Sequence, residues 1–82
     1  MIPIQLKDVK KGDVFYEKVG LHEYRFEALE DAFDKGFITI AKEHYKQYMV
    51  NVKNEHDEIS YMLVTYGLSH YNSKFYKKHG ND

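Results

Sequence analysis

Near the end of the chain, Tyr71, Phe75 and Tyr76 interleave with Lys74, Lys77 and Lys78. Aromatic rings offer faces on which unpaired bases stack, and ammonium groups displace counterions from phosphates, so the mixture has the ingredients of a single-stranded RNA or DNA contact. The same residues serve another purpose equally well. Tyr71 and Phe75 can finish a hydrophobic core while the lysines keep the terminus solvated. A small chain's need for aromatic core favours that division, and it leaves Tyr76, Lys74, Lys77 and Lys78 as the residues for contact. Tyr66 joins them, with Tyr61 close behind, because a tyrosine buries much area at low entropic cost while keeping a polar tip.

A second cluster is acidic. Glu23, Glu27, Glu30, Asp31 and Asp34 could form a negative patch that imitates a phosphate backbone or meets a basic protein, although such a run is also what an ordinary solvated face looks like. Residues 17–34 hold six acids against Lys18 and Arg25, a balance of -4, whereas residues 65–82 hold three lysines against Asp82, a balance of +2. The net charge is only -1, so a folded chain would be electrically polar.

Catalytic sets are missing. Ser60, Ser69 and Ser73 lie in no Gly-x-Ser-x-Gly elbow, and no glycine-rich phosphate loop is present. His22, His44, His56, His70 and His79 are scattered without the i, i+2 or i, i+4 spacing that would aim two ring nitrogens at one ion. His56-Asp57-Glu58 reads as a solvated turn before it reads as a cation site. The absence of cysteine excludes disulfides, thiolate zinc sites and a cysteine nucleophile, and it suits a reducing cytosol. The expectation is a protein that is not an enzyme and that uses no metal or cofactor.

These residues must be positioned by few elements, since 82 residues make one domain with room for one simple core. Eight Tyr and five Phe supply large buried areas from few side chains, so many of the rings are structural. Lys10-Lys11-Gly12-Asp13 signals a turn before a strand, Val14-Phe15-Tyr16-Glu17-Lys18-Val19, and Gly20-Leu21-His22 reverses the chain. The next segment points two ways. Tyr24, Phe26 and Ala28 alternate with Arg25 and Glu27 like a half-buried strand, whereas residues 27–35 have helix-forming composition with Gly36 placed as a terminator.

Beyond it, Phe37-Ile38-Thr39-Ile40-Ala41 is a β-branched run. Residues 46–53 put Tyr48, Val50 and Val52 on one face and Met49, Asn51 and Lys53 on the other. Residues 59–65 follow across the polar stretch 54–58, which makes an antiparallel hairpin. Gly67 breaks that strand, and the tail is too polar for a central strand, which leaves an edge strand or a loop with one helical turn. The fold expected is mainly β, or α+β if 27–35 is helical: a small SH3-like or OB-like antiparallel barrel or a strongly curved sheet.

Two segments resemble the ends of small accessory proteins of tailed bacteriophages. Leu6-Lys7-Asp8-Val9-Lys10-Lys11-Gly12-Asp13-Val14-Phe15-Tyr16-Glu17 is similar to their opening lysine-glycine-acid turn and Phe-Tyr-Glu strand. Tyr61 to Tyr76 is similar to their closing strand, glycine break, His-Tyr pair and Phe-Tyr ending, with Asn72-Ser73 standing where those relatives carry Gly-Pro. The resemblance implies that stretches like Tyr24-Arg25-Phe26-Glu27-Ala28-Leu29-Glu30-Asp31-Ala32 run as strand. It also implies a non-catalytic protein that binds and inhibits or redirects a host protein or ribonucleoprotein, such as a defence or toxin component. The start of the chain lacks a secretion signal and no segment reaches membrane-spanning length, so the expected location is the host bacterial cytoplasm.

Overall fold

The computed structural model describes residues 2–67 and 74–78. Among these residues seven strands form one antiparallel sheet: β1 (Ile2–Ile4), β2 (Val14–Val19), β3 (His22–Ala28), β4 (Phe33–Ile40), β5 (Glu43–Asn54), β6 (Ile59–Tyr66) and β7 (Lys74–Lys77). The order across the sheet is β1-β7-β2-β3-β5-β4, and β6 lies on the other side of β5. The sheet bends strongly into a half-barrel, as the mainly β reading expected.

The bend comes from the long strand β5. Its C-terminal end pairs with β3 (Phe26↔Asn54, Ala28↔Val52), and its N-terminal half pairs with β4 on the same side (Phe33↔Met49 to Ile40↔Glu43). Residues 29–32 carry the chain from one partner to the other. Val50 and Val52 thus face inward with Phe15, Ala28 and Phe75, while Leu6 and Val9, in and after a 3₁₀ turn at Leu6–Asp8, close the concave side. Phe15 is 0 % exposed and packs edge-on to Phe75 at 5.7 Å and tilted to Phe26 at 5.8 Å. Three rings therefore anchor a core that a chain of this size could not fill with small side chains.

The helical alternative for 27–35 is excluded because long-range partners take the backbone groups a helix would use. Ala28 donates to the carbonyl of Asp13 at 2.8 Å, Leu29 to that of Asn51 at 2.9 Å and Ala32 to that of Val9 at 2.9 Å. Ala28 is buried in the core with Phe15 and Val52. Gly36 is no helix terminator. It follows a β-bulge between Asp34 and Gly36, at φ +87°, where its N–H donates to the Asp34 carboxylate at 2.6 Å.

The tail expectation is corrected too. β7 is not an edge strand: it lies between β1 (Ile4↔Phe75) and β2 (Glu17↔Phe75), an interior position that its polar composition disguised. Only four residues, Lys74–Lys77, make the pairing, so one buried Phe and one buried Tyr are enough to hold it.

Candidate interaction surface

The tail residues that suggested a nucleic-acid contact are drawn into the structure. Tyr76 alternates with Phe75 and so emerges on the convex side of the sheet, opposite Tyr16 on β2. The rings stack with centroids 5.6 Å apart, which leaves Tyr76 only 5 % exposed and without a free stacking face. Its hydroxyl donates to the Glu23 carboxylate. Lys78 closes the cluster, with its ammonium 2.7 Å from Glu23 and 4.3 Å above the Tyr16 ring. Lys77 emerges on the other side and pairs with Asp13 at 3.3 Å. Contact with a phosphate would have to displace a carboxylate from each of these lysines. Lys74 opens β7 opposite Lys18, and Tyr71 lies outside the described residues.

The electrostatics agree with the geometry. The Glu23 carboxyl is held below its usual range, first by the Lys78 ammonium and then by the Tyr76 hydroxyl. The Tyr76 phenol is pushed up, chiefly because it donates to Glu23, and the Lys78 ammonium is pushed up by the same carboxylate. All three groups are fixed in the forms that bind one another.

Tyr66 at the end of β6 is likewise engaged. Its hydroxyl accepts the Lys7 N–H at 3.2 Å and its ring meets Tyr48 edge-on at 5.7 Å, so it ties the 3₁₀ turn to the sheet. Burial pushes its phenol up.

The acidic run does not assemble into one patch. Glu23 belongs to the Tyr76 cluster. Glu30 accepts from the Asn51 side-chain amide at 2.6 Å, Asp31 from the Lys11 N–H at 2.8 Å, and Asp34 pairs with Lys46 at 2.5 Å. Glu27 lies on β3 opposite Lys53. Four of the five acids are thus fasteners between neighbouring segments. Among the described residues no three His, Asp or Glu side chains gather as a cation site.

What the side-chain pattern did not single out is the convex face of β4, β5 and β6. Directly paired residues share a face, so Phe33, Met49 and Leu63 form one row; Tyr61 and Ile59 continue it along β6 beside their partners Asn51 and Lys53, and the hydrogen-bonded Gln47 and Thr65 separate it from Ile38 and Tyr45. Ile59 is 73 %, Tyr61 62 % and Leu63 46 % exposed. A signal for this face was present. Residues 59–64 are apolar at both alternations except for Ser60, which is the pattern of a strand covered on both sides, yet the core covers only the side of Met62 and Val64.

No family model, curated protein or solved structure matches the chain. Among the described residues no helix is long and apolar enough to cross a membrane.

Proposed function

We propose that this protein is a non-catalytic binding module: an accessory protein of a tailed bacteriophage or prophage that docks on a host protein, or on the protein part of a ribonucleoprotein, in the bacterial cytoplasm and inhibits or redirects it. The observation that carries the reading is the convex apolar face built from Phe33, Met49, Leu63, Tyr61 and Ile59. Contiguous apolar surface on a small domain marks a place where another surface excludes water. Its chemistry favours a protein partner. Lys53, beside Ile59 at the end of the face, pairs with Asp57 at 3.6 Å, and Lys77 and Lys78 are occupied by Asp13 and Glu23 elsewhere, so the face suits an apolar protein surface better than a phosphate backbone. The similarity of the two chain ends to phage accessory proteins supplies the biological setting.

The test is affinity capture from a bacterial lysate with nuclease present, followed by calorimetric titration of the identified partner. Phe33→Glu, placed on β4 at the far side of the face, is expected to abolish binding while the variant keeps the wild-type circular dichroism spectrum. Binding should change little with salt, because apolar contacts are not screened. A partner that is retained only without nuclease, or that binds Phe33→Glu as well as wild type, overturns the reading.

A further inference from the structure

We infer that two copies of this chain associate by antiparallel pairing of β6 with β6′, extending the sheet across a two-fold axis. The pairing stands independently of which host protein the convex face meets.

The inference starts from the edges of the sheet. An unpaired strand edge presents a row of N–H and C=O groups that invites another strand, and natural sheets blunt such edges with short length, Pro, charge or a bulge. Two of the edges here are blunted. β1 has three residues and contains Pro3, while β4 carries Asp34 and Lys35 and is broken by its bulge. β6 is different. It pairs with β5 from Lys53↔Ile59 to Lys46↔Tyr66, and among the described residues no strand lies along its other side. Its eight residues, Ile59–Tyr66, contain no charge, no Pro and no bulge. The occupant that fits is an uncharged extended strand with apolar side chains at alternate positions, and this chain itself supplies one.

Symmetry then fixes the register. A two-fold axis makes the interface isologous, and convex side chains must meet convex side chains. An axis at Met62 pairs Met62 with its own copy and sets Tyr61 against Leu63′ and Leu63 against Tyr61′. It also pairs Ile59 with Thr65′ and, on the inner side, Ser60 with Val64′. Shifting the axis to Leu63 would set Tyr61 against Thr65′, and shifting it to Tyr61 would shorten the ladder. Aromatic-aliphatic cross-strand pairs of the first kind are stabilising, and no like charges oppose one another. The product is a continuous convex surface in which the exposed side chains of both copies adjoin.

The register makes the test specific. Sedimentation of the wild-type chain over a concentration series should give an apparent mass rising to twice the 9.8 kDa of one chain. Tyr61→Glu alone and Leu63→Lys alone should each remain at the single-chain mass, because each puts two charges against apolar partners. Mixing the two variants should restore the doubled mass, since the carboxylate at 61 then faces the ammonium at 63 of the other chain while Leu63 still meets Tyr61. A wild-type chain that keeps the single mass at the highest concentration overturns the inference, as does a dimer that persists in either single variant. If the variants fold poorly, hydrogen exchange on the wild type decides: β6 amides should gain protection as concentration rises, and concentration-independent protection overturns the pairing. A monomer whose Phe33→Glu variant loses the captured partner would end this inference and leave the proposed function standing. A dimer with no partner would do the reverse.

Discussion

Tyr76 shows how a residue can carry two apparent roles and use one. Its ring is stacked on Tyr16 and its hydroxyl on Glu23, so the tail's most promising stacking surface is a fastener between β7, β2 and β3. The pH dependence follows from the shifts. Glu23 has a folded value below its unfolded one, so its contribution is fully present above the ordinary glutamate value of about 4.3 and is lost as pH falls through the depressed folded value. Tyr76 and Lys78 have raised folded values, so their contributions are present below their unfolded values and are lost as pH rises through the folded ones. Urea titrations should therefore show Glu23→Gln less stable than wild type near neutrality, the difference closing in acid and shrinking in high salt because the cluster is solvent-screened. A gap that stays constant down to the acid limit would contradict the assignment. Phe15 predicts a larger effect. Phe15→Ala removes the most enclosed ring of the core and should cost about 3–5 kcal/mol, close to the whole stability of a small domain, visible as loss of a cooperative melt.

Elements here are set by their ends as much as by their interiors. The β2–β3 hairpin turns at Gly20-Leu21 with Gly20 at φ +61°, a conformation that glycine takes without steric cost. The β4–β5 hairpin turns instead on Ala41 and Lys42, both left-handed at φ +51° and +67°, where a Cβ costs roughly 1–2 kcal/mol per residue. Replacing them by Asn and Gly, the pair that suits a turn with two left-handed residues, should stabilise the chain by about 1 kcal/mol and raise Tm by roughly 4–8 °C. Calorimetry checks it, and an unchanged or lower Tm would mean the turn carries no strain.

The same elements mark what the sequence made legible. The strand at 46–53 was readable by alternation, and those at 14–19 and 59–65 by β-favouring composition bounded by glycine-containing or polar turns. Residues 27–35 were not, since Glu, Ala and Leu favour helix locally while the deciding hydrogen bonds run to Asp13, Asn51 and Val9, distant in sequence. For the candidate site the outcome is similar. The lysines and acids stood out by type, but whether Lys78 is available depends on Glu23, which only the pairing of β7 with β2, itself paired with β3, brings alongside.

At the scale of the molecule, the uneven charge seen along the chain is partly cancelled by folding. The basic end lies beside β2 and β3, where Asp13 and Glu23 take up Lys77 and Lys78. The half-barrel, 43 × 26 × 21 Å across its principal axes, therefore keeps its distinctive surface at the β4-β5-β6 side and its closure at the other. Closure depends on a four-residue strand: β7 is the connection between β1 and β2, and Phe75 is its contribution to the core. β7 lies at the opposite end of the chain from both strands it joins, so the loops closed by its pairing span most of the sequence and are slow to form. A chain ended after Ser73 loses both the ladder and the ring. It should show no cooperative thermal transition by circular dichroism, and its β1 and β2 amides should exchange freely, whereas Lys77→Ala with Lys78→Ala should keep the transition at a somewhat lower temperature. If the shortened chain melted like wild type, β7 would be an appendage and the lysines beside it would again be open to a partner; loss of the transition on truncation alone assigns the tail to the fold.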